Sequence, residues 1–239
     1  MILVIATRNK HKVEEIRACL GEGFDFLTLR DFPAAPVAVE DQPTFAGNAA
    51  KKASLLARWL AEQPLQSQTV FVLADDSGLE VDALGGAPGV NSARFAALDR
   101  GGHSNSTDAE NNAKLLRLLA GVAPDRRTAR FRCAIALARV EPAAHAGDLS
   151  GPSGTGAPSE EPLIFEGVCE GRILESPRGT AGFGYDPLFL PDGYAQTFAE
   201  LGEEVKNKIS HRARALGKLR RWFVERLRRD WFTPGPGFV

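Results

Sequence analysis

Short continuous apolar runs alternate along this chain with segments whose apolar residues recur every three to four positions. The runs at 2–6 and 69–74 are almost wholly apolar, which is typical of strands buried on both faces. After the first run, Val13, Ile16 and Leu20 recur at helical spacing until Gly21. The apolar runs fit strands of a buried sheet, and the helical segments fit helices that pack on that sheet. The sequence therefore predicts an α/β fold.

Helix caps mark further elements. A second strand is predicted over 24–29, and Thr44 is placed to cap a helix with one apolar stripe. Thr107 begins a capping box for another helix, which is expected to end at Gly121. Ser210 is placed to cap a final helix. These elements keep the strand–helix alternation over most of the chain.

Two long strands are predicted late in the chain, over 128–140 and 163–170, and 172–175 continues the second. Neighbouring long strands favour antiparallel pairing, so the sheet is predicted to be mixed. Between them, 11 of the 22 residues in 141–162 are Pro, Gly or Ser. That composition predicts a flexible insertion in a hairpin, within a single domain that comprises 1–239.

Composition limits the kinds of function. The 29 basic and 30 acidic residues leave a net charge of −1, which argues against a strongly basic nucleic-acid-binding protein. Three separated cysteines, with no Cys-x-x-Cys pair, argue against a disulfide framework or a zinc ribbon and fit a reducing compartment. No apolar stretch approaches the roughly 18 residues of a membrane span. We expect a cytoplasmic protein with no membrane partner, no stable nucleic-acid partner and a frayed tail over 233–239.

The turn after the first strand is rich in residue types that bind anions. It lies at a predicted helix N-terminus, where free N–H groups and the helix dipole favour negative charge. The alternative is an ordinary N-cap followed by a solvated basic turn. The residues of this turn are Thr7, Arg8, Asn9, Lys10, His11 and Lys12.

Asp75 and Asp76 directly follow the buried run at 69–74 and precede Ser77. Backbone alternation sends their side chains to opposite sides, so one is expected to face a cleft while the other supports the turn. A carboxylate at this place can hold Mg²⁺ or activate a water. The alternative is a Ser-Gly turn whose acids lie in solvent.

Two later motifs suggest recognition of a base. Glycines flank Phe183 on both sides and leave its ring little local cover, which suits an aromatic platform. A core phenylalanine in a hairpin turn is the alternative. Lys206, His211 and Arg212, near the start of the last helix, are candidates for phosphate or keto-oxygen recognition.

Seven short motifs occur in order between residue 2 and about residue 223. They are Thr7-x-Asn9-x-x-Lys12, Thr44-Phe45-x-x-Asn48-Ala49-x-x-Lys52-Ala53, Ala74-Asp75-Asp76-Ser77-Gly78-Leu79, Gly85-Gly86-Ala87-Pro88-Gly89-Val90, Ser92-Ala93-Arg94, Gly182-Phe183-Gly184-Tyr185-Asp186-Pro187 and Ile209-Ser210-His211-Arg212. In this combination the chain resembles the inosine triphosphate pyrophosphatase family, whose members remove non-canonical purine nucleoside triphosphates. The resemblance implies an elongated mixed sheet with flanking helices, two lobes with the nucleotide cleft between them, Mg²⁺ dependence and a homodimer.

The resemblance also implies roles for individual residues. Residues 7–12 would bind the triphosphate with the help of Lys52, Asp76 would be the general base and a metal ligand, and Ser77 would touch the substrate. The residues that would hold the base and sugar are Phe183, Gly184, Tyr185 and Asp186, and those that would read the purine are Lys206, His211 and Arg212.

Two departures from the family pattern concern the metal. Gly47 stands where the family usually has a glutamate, and the acidic segment at 40–43 lacks an expected glycine. The resemblance therefore leaves two candidates for the second metal-binding carboxylate: Glu40, which we prefer, and Asp41.

The expected reaction is NTP + H₂O → NMP + pyrophosphate, with ITP, dITP, XTP and dXTP as substrates. Mg²⁺ and lysines would stabilise the charge on the phosphates. One alternative is a related pyrophosphatase of the Maf type, which would act on pyrimidine or modified triphosphates. A second, resting on the basic terminal helix, is a nucleotide- or RNA-binding module without catalysis.

Overall fold

A computed structural model describes residues 1–63, 69–102, 104–141 and 161–232. Most helices and strands form where the apolar periodicity predicts them. The six strands are β1 (Ile2–Ile5), β2 (Asp25–Thr28), β3 (Val70–Val81), β4 (Thr128–Arg139), β5 (Leu163–Ile173) and β6 (Phe189–Pro191). The five α-helices of these ranges are α1 (Lys10–Leu20), α2 (Phe45–Ala61), α3 (Asp108–Leu118), α4 (Phe198–Ile209) and α5 (His211–Phe232).

The strands form one sheet in the order β2-β1-β3-β4-β5-β6. β1 pairs in parallel with β2 and β3, whereas β3, β4, β5 and β6 pair antiparallel to their neighbours. α1 connects β1 to β2 and α2 connects β2 to β3, so each connection between these parallel strands contains a helix. The mixed α/β sheet predicted from the sequence is therefore confirmed.

Apolar clusters show how the helices cover the sheet. Val4 and Val72 belong to a cluster that packs under α2 on one face, while Leu3 and Leu73 pack under α1 and α5 on the other. A third cluster lies at the antiparallel end, where α3, α4 and β6 pack around residues such as Phe131. The core of the described residues thus consists of three apolar clusters along one sheet.

The predicted N-caps form as expected. The Thr44 hydroxyl accepts the N–H of Gly47 at 3.0 Å, and Thr107 makes the full capping box of α3. The Ser210 hydroxyl accepts the N–H of Ala213 at 3.2 Å in the first turn of α5. The end of α3 was predicted less well, because the helix stops at Leu118, before Gly121.

The prediction that a strand ends before Asp75 is wrong. β3 continues to Val81, because its pairing with β4 runs without a break from Phe71 opposite Arg139 to Val81 opposite Ala129. The two acids therefore lie in the middle of a strand rather than in a turn. Glycine is required at position 78 of this strand. A Cβ there would lie 2.9 Å from the Phe45 ring and closer still to the Ser92 hydroxyl.

Two elements were not predicted. β6 has only three residues and ends in Pro191, and the periodicity of α4 is interrupted by Gly202, whose φ of 74° is not helical. β5 runs unbroken through Gly171. Residues 142–160 of the predicted insertion at 141–162 and the tail at 233–239 lie outside the described residues. None of the helices in the described ranges has the length and apolar character that a bilayer crossing requires.

Two glycines around α5 offer a matched test of this packing. At Gly167 on β5, an added Cβ would lie 2.6 Å from the backbone nitrogen of Ala215 and would also clash with the carbonyl oxygen of His211. We expect Gly167→Ala to lower the free energy of unfolding by about 1–3 kcal/mol. Gly217→Ala lies in α5 with open space around it, so we expect a gain of about 0.5–1 kcal/mol. Urea unfolding measures both, and equal effects would contradict this packing.

Candidate active site

β3 places its two adjacent acids on opposite faces of the sheet. The Asp75 carboxylate lies on the side of α1 and α5, where it contacts Lys12 and Arg212. The Asp76 carboxylate lies on the side of α2, where it contacts Lys52. Side chains alternate along a strand, so this separation follows directly from the sequence.

Asp75 is the centre of a buried ionic network. Its Oδ2 accepts from Nε of Arg212 at 2.9 Å, Lys12 Nζ contacts its Oδ1, and the Ser77 hydroxyl donates to it at 2.9 Å. The Cys133 thiol also contacts Oδ2 at 3.1 Å. Burial alone would raise the pKa of Asp75, but the charges of Arg212 and Lys12 hold that pKa well below its usual range. The charges around Asp75 therefore favour its ionised form despite its burial.

The network continues towards Phe183 through Glu15. The Glu15 carboxylate accepts from Nη1 of Arg212 and lies 2.9 Å from Nζ of Lys206. Lys206 also pairs with Asp186, which accepts the backbone N–H of Phe183 at 2.9 Å. A chain of alternating charges thus connects Asp75 to the aromatic loop.

Glu15 was missed in the sequence analysis, although a signal exists. It lies between Val13 and Ile16 on α1, and it is only 8% exposed. A carboxylate on the inward side of a helix needs cationic partners, since an unpaired buried charge is costly. Burial opposes its ionisation, yet Arg212 and Lys206 keep the pKa of Glu15 below its usual range.

On the other face, Lys52 joins two carboxylates. Its Nζ lies 2.8 Å from Oδ1 of Asp76 and 2.9 Å from Oε1 of Glu40. Asn48, a motif residue to which the sequence analysis gave no role, donates to the second Asp76 oxygen at 3.2 Å. Burial raises the pKa of Asp76 despite the Lys52 charge. Asp76 therefore holds a proton more readily than its neighbour Asp75.

The pair Glu40 and Asp76 fits a Mg²⁺ ion. One cationic group already lies within 2.9 Å of both carboxylates, so their oxygens can converge on a single cation. Mg²⁺ is commonly held by one or two carboxylates together with substrate phosphates and waters. No group of three or more metal-binding acids, histidines or cysteines occurs in the described ranges, so the protein would supply only part of the shell. Asp41 instead pairs with Lys51 at 2.7 Å in an exposed position.

A continuous cleft connects these groups. The Lys52 cavity, at the Glu40 and Asp76 end, is lined by Thr7, Arg8, Asn9, Lys12, Glu40, Lys52, Asp75, Asp76 and Ser77, among others. The Phe183 cavity, at the other end, is lined by Asn9, Lys12, Ser77, Phe183, Gly184, Tyr185, Asp186, Lys206, His211 and Arg212, among others. Asn9, Lys12 and Ser77 belong to both, so the two cavities meet there.

Two residues of the predicted anion-binding turn lie away from the Lys52 cavity. Lys10 is 70% exposed and lies 3.6 Å from Glu14, one turn further along α1. His11 stacks on the ring of Phe183, with ring centroids 5.3 Å apart. The structure therefore brings together Thr7, Arg8, Asn9 and Lys12 of this turn and separates the other two from them.

The loop that carries Phe183 is held by α3. Asp108 accepts the backbone N–H of Gly184 at 2.7 Å, and the amide of Asn112 donates to the Gly184 carbonyl at 2.9 Å. The Tyr185 hydroxyl donates to the carbonyl of Ser92 at 2.9 Å. These bonds fix the loop, and the sequence analysis missed both α3 residues because their partner lies more than 70 positions away.

The two residues that begin α5 are buried. His211 is stacked on Phe131 at 4.8 Å, burial holds its pKa well below the usual range, and its Nδ1 has no hydrogen-bond partner among the described residues. Arg212 directs its guanidinium to Asp75, Glu15 and Ser77. Its predicted role in reading the purine stays a prediction.

Comparison with known proteins agrees with this arrangement. A model of the Ham1 family matches residues 3–222, which is most of the chain. The chain belongs to the Ham1 family. It is 48% identical over 219 residues to a protein of Desulforamulus reducens named dITP/XTP pyrophosphatase, covering 91% of this chain and 93% of that one.

Solved structures of family members share the fold. A Ham1 protein of Staphylococcus aureus superimposes with a TM-score of 0.73 at 30% identity, covering 95% of this chain and 100% of that one. A HAM1 protein of Coxiella burnetii gives a TM-score of 0.71 at 36% identity, covering 94% and 99%. The family membership predicted from the seven motifs is confirmed.

The opposite pKa shifts of the two strand acids predict different effects on stability. We expect Asp75→Asn to lower the free energy of unfolding by about 3–5 kcal/mol, because Arg212 would lose the buried charge that balances it. Asp76→Asn should cost less than about 2 kcal/mol, because burial already disfavours its charge. Urea unfolding in metal-free buffer tests the difference. If Asp76→Asn proved the more destabilising of the two, the assignment of Asp75 as the structural anion would be wrong.

Proposed function

We propose that this protein hydrolyses non-canonical purine nucleoside triphosphates, among them ITP, dITP, XTP and dXTP, to the monophosphate and pyrophosphate. The observation that carries the proposal is the cleft itself, which has lysines and carboxylates at one end and an aromatic platform at the other. A nucleotide has the same polarity, with phosphates at one end and a flat base at the other. The Desulforamulus reducens relative, named dITP/XTP pyrophosphatase, supports the same class of substrate.

The residues of the Lys52 cavity suit attack on a phosphate. The carboxylate of Asp76 would accept the proton of the attacking water, a role that its raised pKa favours. Lys12 and Lys52 would bind phosphate oxygens and stabilise charge that develops in the transition state. A Mg²⁺ ion held by Glu40 and Asp76 would neutralise phosphate oxygens when bound.

The residues of the Phe183 cavity suit recognition of a base. The ring of Phe183 offers a stacking surface that accepts any purine. Lys206, His211 and Arg212 line the same cavity. Nδ1 of His211, which has no hydrogen-bond partner in the part of the chain that the structure describes, is a candidate to bind a polar atom of a base. Donors directed at O6 would favour inosine and xanthine over adenine, which carries an amine there.

The assembly and location of the protein are part of the same proposal. The family resemblance implies a homodimer, the cysteine pattern fits a cytoplasmic protein, and we propose both. Light scattering of the purified protein measures the first, and cell fractionation the second.

The match to the Ham1 family favours the proposed pyrophosphatase activity over a Maf-type enzyme or a binding module without catalysis.

Pyrophosphate release across a panel of triphosphates tests the activity. We expect ITP and XTP to be hydrolysed with Mg²⁺ much faster than ATP or the pyrimidine triphosphates.

Asp76→Asn keeps the shape of the side chain but removes the base and one metal-binding charge, so turnover should fall roughly 10²–10⁴-fold. Turnover within tenfold of wild type in this variant would remove Asp76 from the mechanism, and preference for pyrimidine triphosphates would favour the Maf-type alternative.

Titration with Mg²⁺ separates the two candidates for the second metal-binding carboxylate. We expect Glu40→Gln to raise the Mg²⁺ concentration for half-maximal activity by at least about tenfold. Loss of a residue that only orients a metal ligand commonly lowers metal affinity about tenfold or more, and Glu40 would be a ligand itself. Asp41→Asn is the matched comparison, because Asp41 precedes the same helix but pairs with Lys51 in solvent. The reverse order of effects would assign the ligand to Asp41.

A further inference from the structure

Phe183 has a partner that does not come from its own loop. The imidazole of His11, in the first turn of α1, lies 5.3 Å from the Phe183 ring centroid with only 12° between the two planes. This geometry is a stack rather than an incidental contact. Pairs of aromatic rings in such an arrangement stabilise a structure by more than the apolar area that they bury would provide.

The stack lies outside the Phe183 cavity. Phe183 lines both that cavity and a smaller one beside it, whereas His11 lines only the smaller cavity, together with Glu15, Phe198 and Lys206. The imidazole therefore packs against the ring without occupying the Phe183 cavity. Nζ of Lys206, which lines both cavities, also lies over the ring, 4.5 Å from its centroid.

The ring needs this support because of its sequence neighbours. Gly182 and Gly184 provide no side chains to pack against it, and both have positive φ values, 78° and 63°. The loop is held by hydrogen bonds to its backbone, and such bonds leave rotation about the Phe183 side-chain torsions free. A flat group against one face restricts the ring orientation.

We propose that His11 is a positioning residue for the base. It holds the Phe183 ring in the orientation that a purine requires, and it does not bind the triphosphate. The inference deepens the proposed function and rests on it. It also divides one short turn between the two ends of the nucleotide, because Thr7, Arg8, Asn9 and Lys12 line the Lys52 cavity and His11 does not.

Two ligands test binding at the two ends of the cleft independently. IMP carries the base with a single phosphate, and inorganic tripolyphosphate carries the phosphates without a base. For His11→Ala, we expect the Kd of IMP and the KM of ITP to rise about three- to tenfold, the range that corresponds to one aromatic pair. We expect kcat to stay within twofold of wild type and the Kd of tripolyphosphate to be unchanged, both measured on the full chain.

A conservative variant and a surface control complete the design. His11→Phe restores a flat ring without a titratable group, so IMP binding should return to within twofold of wild type. Lys208→Ala removes an exposed side chain that pairs with Glu204 on α4, and it should change neither ligand's affinity. Because His11 is 54% exposed, both His11 variants are expected to fold, and thermal unfolding of each variant checks this.

Three outcomes would overturn the proposal. An equal loss of IMP and tripolyphosphate affinity in His11→Ala would make His11 a phosphate ligand. No loss of either would show that the stack contributes nothing, and failure of His11→Phe to restore IMP binding would show that the imidazole itself is needed. In all three cases wild-type release of pyrophosphate from ITP would still stand, whereas absence of that release in wild type would overturn the proposed function itself.

Discussion

The ion pair between Asp75 and Arg212 is the contact on which the rest of the site depends. It joins the middle of the central strand to the start of the last helix, 137 positions apart in sequence, and both side chains are essentially inaccessible to solvent. An isolated charge of either sign would be very costly at this depth, so each residue requires the other. The fold of the N-terminal strands and the docking of α5 are therefore linked by one interaction.

The pair also determines where the neighbouring elements lie. Arg212 has a second carboxylate partner in Glu15, which positions α1, and Glu15 shares Lys206 with Asp186, which positions α4 and the aromatic loop. In this way the charges of four helices and strands and of the aromatic loop alternate in sign, and each contacts a charge of opposite sign. The two strand acids consequently differ in kind: Asp75 is committed to the protein, while Asp76 has a raised pKa and faces the other side of the sheet.

Local patterns in the sequence predicted the parts of the structure that depend on local physics. The helix caps at Thr44, Thr107 and Ser210 form because capping involves residues only three positions apart. The extent of β3 could not be read in this way, since the strand continues past Asp75 only because β4 lies beside it. Apolar periodicity also misses polar residues that face inward, which is why Glu15 escaped notice.

The candidate site shows the same division between what motifs reveal and what only the fold reveals. The motifs identified the residues of both cavities, yet they treated the turn at 7–12 as a single phosphate-binding unit. A helix begins within that turn, at Lys10, and successive residues of a helix point about 100° apart. Lys12 and His11 therefore face different neighbours, Asp75 and Phe183.

The two ends of the cleft differ in how easily their contacts can be exchanged. At the Phe183 end, Lys206 and Arg212 are held by buried carboxylates and the loop backbone is bonded to α3, so this end is rigid before any ligand binds. At the other end, Lys52 bridges Glu40 and Asp76, and Glu40 is about one-third exposed. In the proposed reaction, phosphate oxygens and a divalent cation would replace this bridge, giving the lysine and the carboxylates new partners of opposite charge. A rigid end suits discrimination between bases, because a wrong base cannot be accommodated by movement, and an exchangeable end suits phosphates that arrive and leave as anions in every turnover.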